Sequence, residues 1–381
     1  MRSSDAVVLA RQMGLPWFID RAGYALKHRI GWFAWRTPVR PWSHWRIDRV
    51  SSCGNGDELA ALMREPSTNP FRVAWTGRDT ARVADMAPDS AQDGVDRVDQ
   101  VRNGHMRLFE ACDVEVGWPP AWMRHPDTGE TWPSQHWSRL PDMGSSDVKV
   151  LWEIARFDVA YAAARAYAYT GDDGHAETFW QLVESWRDAN PPNAGPQWMC
   201  GQECSIRAIA WCFAMTVLLD APSTTPTRVG RLVEMLAAHA ERIEANIDFA
   251  VSQRNNHGIN EALGLFTIGT MLPWLRRAAH WADLGRRTLE IEVSRQIGPD
   301  GAYVQHSLNY HRLVVQSLSW AAGVAEVAAS PLGDEAMSRF RSSVELLAQL
   351  VDASGQAPNY GSNDGSQLLH LDACEFEDYR P

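Results

Sequence analysis

The chain has 381 residues, 45% of them hydrophobic and 22% charged, with a formal net charge of -11. That length supports a large core in one big domain or two smaller ones, and the composition is that of an ordinary globular protein. The acidic balance argues against a nucleic-acid partner, which calls for a basic face, but leaves room for an acidic substrate in a local basic cleft.

Met1 to Leu15 holds only the short apolar run Ala6 to Ala10, broken by Arg11 and Gln12, so no secretory signal is expected. No apolar run approaches the roughly 18 residues of a membrane span. These readings predict a cytoplasmic or membrane-peripheral protein with no integral membrane segment. Residues 1–75 read as an Arg- and Trp-rich leader. Its stretch from Trp17 to Trp45 is aromatic and basic, suited to a membrane or partner surface, or more simply to a solvated arm packed on the main body. Residues 76–144 are rich in Asp, Gly and Pro and predict an arm of loops and short helices, with a small strand near Val114 to Val116.

From residue 145 to 381 helix follows helix. Ser146 or Asp147 caps a helix through Trp152, Ala155 and Val159 to Tyr169, stopped at Gly171. Phe179, Leu182, Val183 and Trp186 keep helical spacing in the next, which ends before Pro191. A third carries Ile206, Ile209, Phe213 and Val217. Pro226 opens a fourth that runs to Ile247. A fifth follows His257 and reaches Leu272. A sixth spans about 275–297, a seventh begins near His306, and an eighth covers about 334–351. The expectation is an all-α fold. Antiparallel pairs arranged as an α/α toroid would gather helix starts around one cleft, although periodicity alone does not fix a ring.

Tryptophan is over-used, at 18 residues. Indole faces stack on sugar rings, but most tryptophans fill cores. Trp118, Trp122, Trp132, Trp137 and Trp198 lie in Gly/Pro-rich sequence and are the candidates for a cleft. The basic residues are nearly all arginine, with only Lys27 and Lys149 as exceptions. The six cysteines (53, 112, 200, 204, 212 and 374) form no CxxC pair and read as buried thiols rather than a zinc site or disulfide framework.

Two clusters carry reactive groups. Asn255-Asn256-His257, with Asn260 and Glu261, opens an apolar helix. One asparagine suffices as a cap, and Asn260 falls one turn beyond Asn256. His306, Tyr310 and His311 open another, with His306 and Tyr310 at i, i+4. Glu203 and Arg207 are also i, i+4 and read as a plain helix pair, next to Trp198. In the loop Pro358 to Gly365, Asp364 suits either an Asx turn or the orientation of a His or Arg.

Asn256-His257, the Gln305-to-His311 run and the Asn-x-Gly-x-x-Asp loop ending at Asp364 resemble the heparinase II/III-like polysaccharide lyases, which include oligoalginate lyases. Glu153, Arg156, the Tyr169-to-Asp172 stretch, Trp198, Glu203 and Arg207 extend the resemblance from about Val114 onward. It implies an incomplete α/α toroid preceded here by an irregular N-terminal arm and followed in the family by a β-sandwich. That sheet domain, which lends a His or Tyr to the cleft, is expected beyond Pro381. The implied activity is β-elimination on a uronic-acid-containing acidic polysaccharide or oligosaccharide. Asn256 and His257 would neutralise the carboxylate and Tyr310 would transfer the proton. Trp198, Glu203, Arg207, Asn260, His306, Arg312 and Trp137 would contact substrate, and Arg312 or His306 would tune Tyr310. No metal or cofactor is called for. A toroid glycoside hydrolase, or a non-catalytic glycan-binding or exopolysaccharide-assembly protein, are the alternatives.

Overall fold

The computed structural model describes residues 14–72, 88–141, 146–371, 373 and 376–379. The expected domain boundaries near 75 and 144, Cys374 and the Arg380-Pro381 end lie outside them. In chain order the N-terminal part contains α1 (Leu15–Arg29), α2 (Trp32–Arg36), α3 (Ile47–Val50), α4 (Gly56–Arg64), α5 (Pro88–Arg102) and a hairpin of β1 (His105–Leu108) with β2 (Cys112–Glu115). The helical body follows with α6 (Val148–Ile154), α7 (Asp158–Thr170), α8 (Asp173–Ala189), α9 (Gly201–Leu218) and α10 (Pro226–Glu244). It continues with α11 (Ile247–Gln253), α12 (Asn256–Met271), α13 (Ala278–Gln296), α14 (Leu308–Val327) and α15 (Asp334–Leu350).

The body is two layers of helices. α7, α9, α12 and α14 pack on one another in that order as the inner layer. Each is followed by an outer partner: α8, α10, α13 and α15. The sequence assigns the layers. α9 and α12 are buried on nearly every side, as suits helices apolar all round. α7 is an alanine run (Ala160, Ala162, Ala163, Ala164, Ala166 and Ala168, all buried), which lets neighbours approach closely. α10 is amphipathic, burying Val229, Leu232, Val233, Leu236 and Ile243. Its start is set by Thr225, whose side chain accepts from Arg228 N, and by Pro226 at the first position. A two-residue link separates α7 from α8. Gly171, at φ 69°, ends one helix, and Asp172 caps the next through Gly174 N. Each outer helix returns the chain to the same end, by way of α11 before α12 and of residues 297–307 before α14, so the inner helices run the same way and begin at one rim. The arrangement is an incomplete α/α toroid, and one continuous core runs from Phe33 to Leu368.

Three expectations are corrected. The single helix expected from residue 147 to Tyr169 is two, α6 and α7, because Phe157 takes a left-handed φ of 63°. Asp147 caps the first through Lys149 N. The leader, expected to be irregular, and the arm, expected to hold loops and short helices, each contain a helix of 15 residues, α1 and α5. α5 is polar overall, but it buries Val98 and Val101 and crosses α7 closely at Gly94, whose added Cβ would sit 3.1 Å from Ala162 O. The expected strand near Val114 is β2. Of the cysteines, Cys112 is exposed and Cys200 only half-buried, while Cys53, Cys204 and Cys212 are buried. All five are free.

The tightest inter-helix contact is between α12 and α13. A Cβ at Gly285 would lie 2.4 Å from Phe266 N and 2.7 Å from Ala262 O, both backbone atoms that cannot swing aside. Gly285→Ala should therefore cost about 1–3 kcal/mol of stability through overpacking. Gly323→Ala on α14, with nothing within 4 Å, should be neutral or stabilise by up to about 1 kcal/mol. Urea unfolding of the two variants checks the contrast.

Candidate active site

Because the inner helices share a direction, their first turns meet. Arg156 precedes α7, Gln202 and Glu203 lie in the first turn of α9, Asn256 and His257 open α12, and Tyr310 is in the first turn of α14. Hydrogen bonds join these starts across the rim.

At α12, Asn255 is the cap, accepting from His257 N at 3.1 Å, which leaves Asn256 for other work. Asn256 Nδ2 donates to Gln202 Oε1 at 2.7 Å, and Asn260 Nδ2 reaches the same oxygen at 3.2 Å. Asn260 in turn accepts from Ser317 Oγ at 2.7 Å on α14. The backbone N–H of Asn256 donates to Gln305 Oε1 at 3.1 Å, and Tyr303 holds that oxygen at 2.7 Å. An amide nitrogen carries two hydrogens, so Gln202 orients Asn256 and leaves one donor. His257 is 26% exposed, with Nδ1 3.8 Å from Glu261 Oε1 and 3.8 Å from Cys200 Sγ. Burial by itself would lower its pKa. The neighbouring Cys200 and the Glu261 carboxylate outweigh that and raise it to about 10, so the ring is an imidazolium at neutral pH.

At α14, Ser307 caps the helix through Tyr310 N, and its hydroxyl donates to Ser362 O at 2.5 Å. Leu308 N donates to Tyr360 O at 3.2 Å. Gly361 makes the approach possible. At φ 77°, its added Cβ would collide with His306 O at 2.1 Å. The loop thus pinned delivers Asp364 to Tyr310, whose hydroxyl donates to Asp364 Oδ2 at 2.8 Å. Burial first, then Asp364, pushes the phenol pKa well above its ordinary value. Burial would raise the Asp364 pKa, but hydrogen bonds from Ser366 and Tyr310 and the field of Arg156 hold it below the usual range.

Arg156 ties α6 to the start of α9. Its Nε and Nη2 grip Glu203 at 2.8 and 2.9 Å, a bidentate pair, and its Nη1 donates to Glu153. Burial would raise the Glu203 pKa, but Arg156 outweighs it and holds the carboxyl below its ordinary range. Glu153 goes the other way, to about 7, through burial and the nearby Glu203 and Asp158 carboxylates. Glu203 senses His257 on one side, and Tyr310 senses Arg156 and Glu203 on the other. The rim therefore alternates charge: imidazolium, carboxylate, guanidinium, carboxylate, phenol.

Several expected contact residues serve the scaffold instead. Glu203 does not pair with Arg207. Arg207 is fully buried and donates to Ala155 O at 3.1 Å, Gln197 O at 2.8 Å and His239 Nε2 at 3.2 Å. Trp198 is buried against Trp186 and His239, with ring centroids at 5.9 and 4.7 Å, and cannot stack on a sugar. Trp137 is buried beneath Arg242, whose guanidinium sits 3.8 Å over the indole. Trp122 and Trp132 are buried too, leaving Trp118 as the surface member of the five. His306 is exposed but stands before the helix at φ 50°, so the i, i+4 face expected for it and Tyr310 does not form. Arg312 turns away from Tyr310. It donates to Phe376 O at 2.5 Å and lies between the rings of Phe376 and Tyr379, so Arg156 is the cation near the phenol. His311 is buried against Ser343 O at 2.9 Å. Sequence reasoning missed Gln202 and Gln305. Gln202 is a lone polar residue in the first turn of an apolar helix and Gln305 lies in the loop before α14, and neither carries a signal by itself. The Asx turn expected of Asp364 forms through Ser366 N at 3.2 Å, while the same carboxylate also holds Tyr310.

The sequence matches the Heparinase II/III N-terminus family model over residues 100–363. A heparin-sulfate lyase of Bacteroides thetaiotaomicron is 28% identical over 221 residues, 57% of this chain and 30% of that protein. A heparin-sulfate lyase of Pedobacter heparinus is 23% identical over 185 residues, 47% of this chain and 27% of that protein. The matched region is thus under a third of either relative's length. Among solved structures, a heparan sulfate lyase from Pedobacter heparinus aligns with a TM-score of 0.56 at 15% identity, covering 82% of this chain and 49% of its own. An alginate lyase from Bacteroides ovatus aligns with a TM-score of 0.50 at 13% identity, covering 73% and 83%. At these identities the likeness establishes the shared toroid.

The raised His257 pKa makes a signed prediction. A raised value stabilises the fold fully below the unperturbed pKa of about 6.5, and that contribution is lost as pH rises further. Wild type should therefore exceed His257→Gln in stability most at mildly acid pH, with the margin fading as pH passes through about 10. Urea unfolding across that window checks it, and a margin that grew with pH would refute the assignment.

Proposed function

The chain belongs to the heparinase II/III family, and we propose that its rim is the active site of a polysaccharide lyase that cleaves a uronic-acid-containing acidic glycan by β-elimination. The observation that carries this reading is the phenol of Tyr310 hydrogen-bonded to Asp364 at the end of the inner helices that also holds the Arg156–Glu203 pair, the imidazolium of His257 and the amide of Asn256 on Gln202. The heparin-sulfate lyase relatives and the alginate lyase of the same fold act, by their names, on glycans of this acidic kind.

The C5 proton of a uronate is weakly acidic, because removing it places a second negative charge on the C6 carboxylate. Donors fixed where that charge grows lower the barrier. The free Asn256 N–H and the His257 imidazolium supply them, and Gln202 and Glu261 hold the two groups in place. Tyr310 rests protonated. As its oxygen takes the C5 proton, its own proton moves to Asp364 Oδ2. Tyr310 then protonates the O4 leaving oxygen as the C4–O4 bond breaks, and recovers a proton from Asp364. The proton lost at C5 ends at O4, and the product carries a C4–C5 double bond. Arg156 keeps Asp364 ionised between turnovers.

A hydrolase needs two carboxylates flanking one sugar bond. Of the carboxylates that would serve one, Glu203 is locked with Glu153 on one buried guanidinium, Glu261 lies beside His257, and Asp364 holds the Tyr310 hydroxyl. That arrangement favours the lyase.

Incubation with uronate polymers should give products with the ultraviolet absorbance of the new double bond. A hydrolase would release reducing ends without it, and a binding protein would give neither. Tyr310→Phe should lower kcat by about 10²–10⁴-fold, the usual range for a proton-transfer group, with binding largely kept. Asp364→Asn should lower kcat more than it alters KM and should displace the pH profile, because the phenol loses its proton acceptor. Normal turnover in Tyr310→Phe would refute the mechanism.

A further inference from the structure

The N-terminal arm has an inward face fixed to the toroid and an outward face that nothing covers among the described residues. Inward, Tyr24 of α1 stacks on Phe249 of α11 with centroids 3.7 Å apart, and the Arg21 guanidinium lies 4.9 Å over the same ring. Phe33 of α2 is buried, with its ring 5.2 Å from Trp137. These contacts hold the arm at α1 and α2 and prevent it from rolling its other side into the core.

Outward, Leu26 and Ile30 are 59% and 65% exposed, and Ile19, also 59% exposed, stands at the edge of the cavity between α1 and α11. At i, i+7 and i+11 they form one stripe along the helix. Trp35, just beyond, is 75% exposed. Single exposed aliphatics are ordinary, but an aligned stripe closed by an indole is not. The charge around it is equally one-sided. Residues 14–46 hold six Lys or Arg and a single acid, Asp20, in a chain whose net charge is -11. Lys27 and Arg29 lie either side of the stripe and Arg36 follows Trp35.

We propose that this arm docks the protein on an anionic lipid surface, lying in the headgroup plane with Ile19, Leu26, Ile30 and Trp35 inserted and the basic residues on lipid phosphates. An interfacial helix combines these same two elements, and indoles favour the headgroup level. Insertion is shallow, since no helix among the described residues is long and apolar enough to cross a membrane. An acidic glycan would use the arginines but gains nothing from three exposed aliphatics. A second copy related by a two-fold axis would oppose one basic arm to another. The lipid surface satisfies both halves of the patch. This proposal is independent of the lyase reading, because none of its residues belongs to the rim.

The purified full chain should co-sediment with phosphatidylglycerol/phosphatidylcholine vesicles and not with phosphatidylcholine alone, and salt should release it. Leu26→Asp combined with Ile30→Asp should lower partitioning by about tenfold or more, given the apolar area withdrawn. Arg29→Glu combined with Arg36→Glu should lower it on anionic vesicles as well. Melting curves matching wild type would show that these surface changes leave the fold intact. Absence of vesicle binding would overturn the proposal. So would vesicle binding that the paired Asp variant leaves unchanged, capture of a soluble polyuronate by the arm that this variant leaves unchanged, or a concentration-dependent dimer that it dissolves.

Discussion

A buried guanidinium holds the rim together. Arg207 exposes no surface, and a charge so placed is tolerable only when it is densely bonded. It donates to the carbonyls of Ala155 and Gln197 and to a neutral His239, while lying 4.5 Å over Trp186. His239 can accept because burial and Arg207 itself push its pKa far down, and its Nδ1 sits 2.7 Å from Met235 O. One side chain thereby ties the end of α6, the turn before α9 and the body of α10. The tie at Ala155 fixes the residue directly before Arg156. Arg242 repeats the device one step along, donating to Trp198 O and Met199 O at 2.8 Å each. The tryptophans around these arginines line the packing of cations rather than a sugar cleft.

From that anchored break the groups of the candidate site follow. Arg156 emerges beside the start of α9 because Phe157 turns the chain with a positive φ. Its fork takes Glu203, and its remaining field reaches the Asp364–Tyr310 pair. Each member is held by a neighbour from a different helix or loop, so no element places the site by itself. The consequence is coupling. Substitutions at Arg156, Glu203 or Asp364 will not act independently, as expected for groups in one hydrogen-bonded network.

The helical body is legible in the sequence because its periodic residues are buried in register. Val229, Leu232, Val233 and Leu236 on α10 are an example, and Pro226 and Gly171 mark boundaries. α1 and α5 are not legible. α5 buries a narrow stripe in a strongly polar run, and the apolar side of α1 faces outward, so neither carries the usual core pattern. At the site, the pairing of Asn256 with His257 and the presence of Tyr310 stand out as polarity at the start of apolar helices. Trp137, Trp198 and Arg207 do not reveal their places, since loop sequence around a tryptophan says nothing about what packs over it. Asp364 illustrates the limit most directly. Its local turn is readable, but its second partner lies 54 residues away and only the fold brings it there.

The shared direction of the inner helices has an electrostatic consequence beyond any side chain. Each helix start carries unpaired N–H groups equivalent to about half a positive charge. α7, α9, α12 and α14 aim theirs at the same rim. The positive ends of four helices are thereby set against the carboxylates gathered at that rim, and this part of the field is written in peptide bonds. It neither titrates nor disappears with one substitution, and it persists while the surrounding carboxylates and imidazoles gain or lose protons.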